Sequence, residues 1–338
     1  MDATALVAEA EQSVSLQTVS LPEPSFDEIV VRTTYSGISI GTERNLLTGR
    51  VSWGPFPICP GYQAVGKVTA VGAGVENFAV DDEVYYRASA PVTLPDGTTV
   101  SATSGTHCSR AILNPGIHGV AHLPSGVDPA VASTFVMPAV GLNGVDRANV
   151  RLGDTVVVHG NGLIGLGVVA SCTHRGAEVI AVDLRDDRLN VAGMLGAEHT
   201  INPDEEDLAR AVDRITDDGA DVVFEATGIP DCIDPAMRLC RRGGSFVFQG
   251  DYGRNPISFE FGTPHEAHLD AVFPCNDGLE PGRRGVLQNM ALGLLPWEET
   301  ITDVMHPDAT PEFYDRMTDG DLSGVIGAVI EWDLVSKA

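Results

Sequence analysis

Residues 155–165 read TVVVHGNGLIG, and this stretch decides the fold. Its first five residues form a continuous apolar run, which is typical of a strand buried on both faces of a parallel sheet. The next six have the G-x-G-x-x-G spacing and open a helical segment. In that context Gly160 permits a tight turn, Gly162 lets the backbone approach a pyrophosphate, and Gly165 allows the helix to pack closely on the strand. The helix N-terminus then offers free N–H groups to the phosphates.

A second part of the dinucleotide pattern is the acid at the end of the next apolar run. Asp183 lies 183 − 160 = 23 residues after Gly160, near the spacing of about 20 for the residue that binds the adenosine ribose. A 2′-phosphate would meet its like charge, so we expect NAD rather than NADP, although Arg185 weakens the argument. A glycine-rich turn in another α/β protein is the improbable alternative.

Further cofactor contacts are expected after the fourth and fifth strands, where Thr227, Gly228 and the segment 249–251 stand at carboxyl ends. For these residues a simple turn role is an equal alternative. The predicted cofactor contacts are Gly160, Asn161, Gly162, Leu163, Ile164, Gly165, Asp183, Arg185, Thr227, Gly228, Gln249, Gly250 and Asp251.

From residue 154 onward, strand-like runs alternate with helical segments, which predicts a parallel sheet with helices on both faces. The strands include a sixth near 269–273. Residues 1–126 instead show short alternating runs cut by Gly and Pro, which is typical of an irregular β domain. A linker helix is expected over 128–148, broken or kinked at Pro138. The apolar run 325–332 is expected to rejoin the first domain as a strand.

Charge and cysteine use limit the classes of partner. The 338 residues carry 47 Asp and Glu against 21 Lys and Arg, a net charge of −26, which disfavours nucleic acid and membrane surfaces. The acidity fits a high-salt cytosol or an acidic proteome of ordinary salinity, and both interpretations stay open. The start of the chain lacks a signal peptide's basic region, and the six cysteines form no C-x-x-C pair. We expect a cytoplasmic protein with reduced thiols.

Four stretches together resemble the medium-chain dehydrogenase/reductase superfamily: GISIGTE at 37–43, PGYQAVGKV at 60–68, the glycine-rich turn, and the C-terminal VIGAVIEW. The resemblance implies an α/β protein with a GroES-like β domain, over 1–125 and 276–338, and a Rossmann domain over 126–275 with a doubly wound, parallel, six-stranded sheet. GISIGTERNLLTGRV is similar to the bacteriochlorophyllide a dehydrogenase-like branch, which includes enzymes that oxidise secondary alcohols. Relatives are usually dimers or tetramers, so a homodimer or homotetramer is expected.

The chain departs from the zinc-dependent members of this superfamily at their ligand positions. The Cys position holds Ile40 or Ser39, the His and Glu positions hold Tyr62 and Gln63, and a further ligand position near 137–138 is methionine. Zinc takes thiolate, imidazole or carboxylate ligands. The four-cysteine lobe of a structural zinc is also missing. We therefore predict no zinc.

Without a metal, a hydrogen-bonding side chain must help to remove the hydroxyl proton of the alcohol. The resemblance places Tyr62 beside the nicotinamide, so it is the first candidate, with space-filling as an equal alternative. Thr42 matches the superfamily's proton-relay hydroxyl, although a strand-end hydroxyl bonded to backbone is slightly favoured. Ser39 and Gln63 are candidates for orienting the substrate oxygen. His107, in a loop that resembles the substrate-cleft segment, is a candidate base, with a surface histidine as the favoured alternative.

Three functions follow from these features. The first is a zinc-independent, NAD-dependent oxidoreductase that interconverts a secondary alcohol, such as a polyol or sugar-derived hydroxyl, and a ketone. The second is an NADPH-dependent quinone or enoyl reductase, which Asp183 disfavours. The third is a nucleotide-binding sensor or structural protein with little catalysis.

Overall fold

The computed structural model describes residues 1–100 and 105–333, which form two compact units. The first unit contains 1–135, 290–292 and the segment from 301, and the second contains 136–289 and 293–300. The sequence predicts domain boundaries at 125/126 and 275/276. The compact units instead change at 135/136 and within 289–301, so these boundaries stay a prediction. Among the described residues, none of the helices is both long and apolar enough to cross a bilayer.

The N-terminal part of the first unit is built almost entirely of strands. They are β1 Asp2–Ala10, β2 Ser13–Ser20, β3 Ile29–Ile38, β4 Ala64–Val71, β5 Glu83–Tyr86, β6 Val92–Thr93, β7 Thr99–Val100, β8 Arg110–Leu113 and β9 Ala121–His122. Helix α1 spans Ile40–Leu47 and helix α2 spans Pro129–Ala132. Strands β1, β2, β6 and β7 form a four-stranded sheet, while β3 lies in a second sheet between β4 and the C-terminal strand, with β8 also paired to it.

The second unit contains one parallel sheet. Its elements are α3 Val136–Ala148, β10 Thr155–His159, α4 Leu163–His174, β11 Glu178–Val182, α5 Asp186–Met194, β12 His199–Ile201, α6 Leu208–Ile215, β13 Ala220–Glu225, α7 Ile233–Met237, β14 Cys240–Phe248, α8 Gly262–Ala267, β15 Asp270–Val272 and α9 Glu280–Ala291. The strand order is β12-β11-β10-β13-β14-β15, and every pairing is parallel. This six-stranded sheet confirms the predicted Rossmann fold.

The chain then returns to the first unit through β16 Ile301–Met305, α10 Thr310–Asp319 and β17 Gly327–Glu331. Strand β17 pairs antiparallel with β3. Residues of α10 and β17 are buried with Leu6 and Ile38 in one core cluster. The predicted return of the apolar C-terminal run is therefore observed.

The predicted linker helix is interrupted, but not at Pro138. The break is the turn of residues 133–135 between α2 and α3, while Pro138 is the third residue of α3. A first-turn residue has no helical partner for its N–H, so proline is tolerated there.

Candidate active site

The glycine-rich turn has the backbone geometry that its sequence predicts. Gly160 has φ +95°, and a Cβ at this residue would lie 2.8 Å from the backbone nitrogen of Thr227. A Cβ on Gly165 would lie 1.9 Å from the carbonyl oxygen of Gly160, so the helix start sits directly against the turn. Gly162, the N-cap of α4, has no atom within 4 Å of where its Cβ would be. The backbone at the start of α4 is therefore open to a ligand.

Asp183 and Asn161 are hydrogen-bonded to each other beside this turn. Asp183 Oδ2 accepts a hydrogen bond of 2.7 Å from the backbone N–H of Asn161, and its Oδ1 accepts one of 3.0 Å from the N–H of Arg185. The Asn161 amide group donates to the carbonyl of Val182 at 2.9 Å. The carboxylate is only 8% exposed, yet each oxygen accepts a single backbone hydrogen bond. It therefore has lone pairs left for a ribose diol.

Arg185 does not aim its guanidinium at Asp183. Its Nε donates to Asp187 Oδ1 at 2.9 Å, and its Nη2 pairs with the other oxygen of that carboxylate. The ion pair lowers the pKa of Asp187 and raises that of Arg185. Arg188 reaches Asp183 at 3.5 Å. The influence of Arg185 on the NAD preference stays a prediction, because Arg185 and Arg188 both lie near the Asp183 carboxylate.

The loops after β13 and β14 meet behind the turn. A Cβ on Gly228 would lie 2.8 Å from the carbonyl oxygen of Asp251, and the N–H of Gly250 donates to the carbonyl of Glu225 at 2.8 Å. The N–H of Thr227 donates to the Glu225 carboxylate at 2.9 Å. Gln249 is 8% exposed, with its amide 3.4 Å from the carbonyl of Val140. Thr227, Gly228 and residues 249–251 thus form tight turns at the strand ends, and their contact with a cofactor stays a prediction.

Sequence reasoning missed three residues near this edge. Glu225 is completely buried at the end of β13, and its place at the end of the DVVFE run was the available signal. Leu184 and Ile229 each lie one residue beyond a predicted cofactor contact, with exposures of 61% and 53%. Apolar side chains this exposed beside a nucleotide-binding turn are suited to packing on a flat base.

In the first unit, three hydroxyl groups come together at the candidate catalytic residues. The Tyr62 hydroxyl donates to Ser39 Oγ at 2.5 Å, and Thr42 Oγ1 lies 3.4 Å from the Tyr62 oxygen. The Arg87 guanidinium lies over the Tyr62 ring, 5.3 Å from its centroid, and Arg87 Nε donates to the Tyr62 carbonyl. Burial raises the pKa of Tyr62, and its hydrogen bonds with Ser39 and Thr42 oppose that rise only in part. The phenol therefore stays protonated near neutral pH.

The register of β3 and β4 explains this cluster. Ser36 lies opposite Ala64, and the N–H of Gly37 donates to the carbonyl of Gln63 at 3.2 Å. The start of α1 therefore lies beside the segment just before β4. Thr42 is inside α1, so the strand-end alternative is wrong for this residue.

His107 is not on the surface, so the favoured alternative for this residue is wrong. Its side chain is completely buried, its Nδ1 lies 2.7 Å from Ser36 Oγ, and its Nε2 lies 3.2 Å from Glu43 Oε2. Glu43 also accepts from the backbone N–H of Ser39 at 2.8 Å and from the Tyr314 hydroxyl. Both ring nitrogens thus have partners inside the protein, and the structure supports a positioning role better than the predicted base.

The residues at the expected zinc-ligand positions do not fit a zinc ion. Ser39 and Tyr62 offer neutral hydroxyls that bond to each other, and the amide of Gln63, in a buried side chain, lies 3.4 Å from the carbonyl of Gly37. Met137 is buried in α3. Catalytic zinc takes three ligands from thiolate, imidazole and carboxylate groups. None of these four side chains supplies one.

These features define a class of protein, the two-domain oxidoreductases. One unit contains a dinucleotide-binding sheet, and the other contains a cluster of hydroxyl groups. Two family models match the chain: an alcohol dehydrogenase GroES-like domain over residues 25–142, and a zinc-binding dehydrogenase over residues 164–276. The chain belongs to the medium-chain dehydrogenase/reductase superfamily and is an enzyme of its alcohol dehydrogenase/reductase type.

Curated relatives agree with this assignment. The Agrobacterium fabrum protein named "Putative D-xylulose reductase" is 30% identical over 276 residues, which are 73% of this chain and 77% of the relative. Sorbitol dehydrogenase of Bacillus subtilis is 25% identical over 92% of each chain. The 2-desacetyl-2-hydroxyethyl bacteriochlorophyllide A dehydrogenase of Cereibacter sphaeroides is 27% identical over 77% of each chain.

Solved structures share the fold. A "putative zinc-binding dehydrogenase" of Sinorhizobium meliloti 1021 bound to NADP has a TM-score of 0.84 at 23% identity, covering 98% of this chain and 99% of that one. An alcohol dehydrogenase of Escherichia coli CFT073 complexed with NADH has a TM-score of 0.82 at 20% identity and the same coverage.

Proposed function

We propose that this enzyme interconverts a secondary alcohol and a ketone by NAD-linked hydride transfer without a catalytic metal, and that its substrates are polyols or sugar-derived alcohols. The observation that carries the proposal is the 2.5 Å hydrogen bond from the Tyr62 hydroxyl to Ser39 Oγ, at positions where zinc-dependent relatives hold metal ligands. The names of two relatives, a sorbitol dehydrogenase and a D-xylulose reductase, support the substrate class.

The second unit holds the residues for the dinucleotide. The open start of α4 would hold the pyrophosphate, the Asp183 carboxylate would accept from the adenosine ribose, and the exposed Leu184 and Ile229 would pack on the adenine. When bound, the nicotinamide accepts a hydride from the carbinol carbon or returns one to the ketone. The Arg185 guanidinium is paired with Asp187, and the Arg188 guanidinium lies 3.5 Å from the Asp183 carboxylate. The negative charge of Asp183 would repel a 2′-phosphate. This arrangement supports NAD, although the neighbouring solved structures include both an NADP and an NADH complex.

The first unit supplies the groups for the proton. The Tyr62 phenol stays protonated and here donates its single O–H to Ser39 Oγ. With substrate present it would turn that O–H to the substrate oxygen, and the Ser39 hydroxyl would donate to the phenol oxygen instead. In the reducing direction this donor stabilises charge that develops on the carbonyl oxygen. In the oxidising direction the phenol would take the alcohol proton as it passes its own proton to Thr42, which would release one proton to water, so Tyr62 never exists as a free phenolate. Thr42, at 3.4 Å, is the alternative hydrogen-bond partner of the phenol.

A steady-state assay over polyols, sugar alcohols and simple secondary alcohols, each with NAD and with NADP, tests the proposal. We expect turnover of at least one of these alcohols, with kcat/KM for NAD at least about tenfold above that for NADP, equivalent to roughly 1.4 kcal/mol. A preference for NADP, or reduction of quinones and enones with no turnover of any alcohol, would contradict it.

A further inference from the structure

A cluster of three metal-ligating side chains lies in the second unit, apart from the residues at the family's zinc positions. A ring nitrogen of His159, a carboxylate oxygen of Glu225 and the Sγ of Cys232 lie within 4.8 Å of one another. His159 ends β10, Glu225 ends β13, and Cys232 ends the 3₁₀ turn Pro230–Cys232. His159 and Glu225 are directly paired in the parallel register, so their side chains leave the same face of the sheet. The fold itself therefore brings these groups together.

One group of the cluster lacks a hydrogen-bond partner. Within residues 1–100 and 105–333, the buried Nδ1 of His159 makes no hydrogen bond. Because no neighbour among the described residues accepts a proton from it, this nitrogen can present its lone pair to a ligand. A buried polar atom without a partner requires an explanation, and a bound ion is one of the recognised ones. Glu225 beside it is completely buried.

We propose that His159, Glu225 and Cys232 bind a divalent transition-metal ion, with Zn²⁺ the best match to the ligand set. One nitrogen, one oxygen and one sulfur ligand suit Zn²⁺ better than Mg²⁺ or Ca²⁺, which prefer oxygen alone. Bond lengths of about 2.0–2.3 Å place tetrahedral ligand atoms about 3.3–3.8 Å apart. The present separations of up to 4.8 Å therefore close by a small movement of the Cys232 turn. A fourth position stays open to water.

Neighbouring groups orient the carboxylate. The N–H of Thr227 donates to Glu225 Oε1 at 2.9 Å, and the Tyr252 hydroxyl donates to Oε2. Groups that hydrogen-bond to a metal ligand fix its orientation, and their mutation typically lowers metal affinity by about 10–100-fold. Burial raises the pKa of the Cys232 thiol, so the sulfur is protonated before binding. Formation of the metal–sulfur bond therefore breaks the S–H bond and releases one proton to solvent.

Titration of the dinucleotide-free, chelator-treated full chain with Co²⁺ alone tests the proposal, because a thiolate ligand gives Co²⁺ a near-ultraviolet charge-transfer band. We expect the band to saturate at one Co²⁺ per chain and to disappear on addition of Zn²⁺. Cys232→Ser should abolish it, and His159→Phe should weaken Co²⁺ binding at least about a hundredfold. Cys275→Ser is the matched control, because Cys275 is the exposed cysteine of the same unit, and it should leave the band unchanged.

A band that survives Cys232→Ser, or no band in the wild-type chain at a large excess of Co²⁺, would overturn the proposal. A second measurement on the wild-type chain does not depend on the folding of any variant. Zn²⁺ should slow alkylation of Cys232, read by mass spectrometry, at least about tenfold while Cys275 reacts at its original rate. Equal rates at Cys232 with and without Zn²⁺ would also overturn it.

Discussion

The imidazole of His107 and the carboxylate of Glu43 form a completely buried pair, with His107 Nε2 3.2 Å from Glu43 Oε2. Ser36 Oγ lies 2.7 Å from the other ring nitrogen, and the Tyr314 hydroxyl donates to Glu43. Glu43 also accepts from the N–H of Ser39, whose side chain receives the Tyr62 hydroxyl. The pair therefore supports the segment that carries the candidate catalytic hydroxyls. A positive φ of +86° at Gly61, where a Cβ would lie 2.7 Å from the His107 ring, allows this close approach.

His107→Ala should lower the free energy of unfolding by about 3–5 kcal/mol, because it removes one partner of the buried Glu43 carboxylate and leaves a cavity in place of the ring. Urea denaturation measures the change. His199→Ala is the matched control, since His199 forms a partly exposed pair with Glu178 and its loss should cost no more than about 1 kcal/mol. Equal losses in the two variants would show that the buried pair has no special role.

Tyr62→Phe should lower kcat/KM by at least about tenfold, or roughly 1.4 kcal/mol, because it removes the phenol that hydrogen-bonds the substrate oxygen. Thr42→Ala should have a smaller effect of the same sign. Tyr35→Phe is the control for Tyr62→Phe, because it also removes a phenol hydroxyl from the first unit. The Tyr35 hydroxyl donates to Glu331 at 3.1 Å, outside the hydroxyl cluster, so its loss should leave kcat/KM unchanged. Thr48→Ala serves for the second, because Thr48 caps α1 by bonding to the Arg44 carbonyl. If neither Tyr62→Phe nor Thr42→Ala reached tenfold, the catalytic assignment would be wrong.

The pH dependence of kcat/KM should show no ionisation of Tyr62 between about pH 7 and pH 9. Burial disfavours the charged phenolate and so raises the pKa of Tyr62 above its ordinary value of 10.0. Wild-type and Tyr62→Phe profiles should therefore have the same shape in this range and differ only in height. An alkaline rise near neutral pH that disappears in Tyr62→Phe would instead identify a phenolate base.

Gly165→Ala should weaken NADH binding at least about tenfold, because its Cβ would come 1.9 Å from the carbonyl oxygen of Gly160 and force the turn open. Fluorescence titration with NADH measures the affinity. Gly193→Ala is the control: this glycine lies within α5 with no atom within 4 Å of its Cβ position. That change should leave NADH binding unaltered and stabilise the protein by roughly 0.5–1 kcal/mol. Unchanged NADH affinity in Gly165→Ala would remove the turn from the cofactor site.

The sequence predicted the parts of the site that depend on local spacing. The strand, the tight turn at Gly160 and the helix start have the predicted geometry, because these features impose their residue types over short distances. The cofactor contacts of Gly160 and Asp183 stay a prediction. The burial of His107 was missed because its partners, Ser36 and Glu43, are 71 and 64 residues away. Only the tertiary fold brings them together, and a histidine in a loop has no local feature that distinguishes core from surface.

Two other differences have similar causes. The effect of Pro138 depends on its position in the helix, since proline is tolerated in the first turn. The sequence pattern did not show that α3 begins at Val136, two residues before this proline. Glu225 ends an apolar strand in the DVVFE run, and its contacts with Thr227 and Tyr252 come from loops after two different strands. Its proximity to His159 and Cys232 follows from strand order, which the alternation of elements does not specify.

The activity of the enzyme after removal of all metal tests the central claim most directly. The chain is treated with a strong chelator, metal loss is verified, and kcat/KM is measured with NAD and the alcohol found in the assay. Because the hydroxyl cluster needs no Lewis acid, we predict that kcat/KM stays within about twofold of its starting value. Loss of activity that Zn²⁺ restores equally in the wild-type chain and in Cys232→Ser would contradict the account, since Cys232→Ser removes the metal site proposed in the second unit.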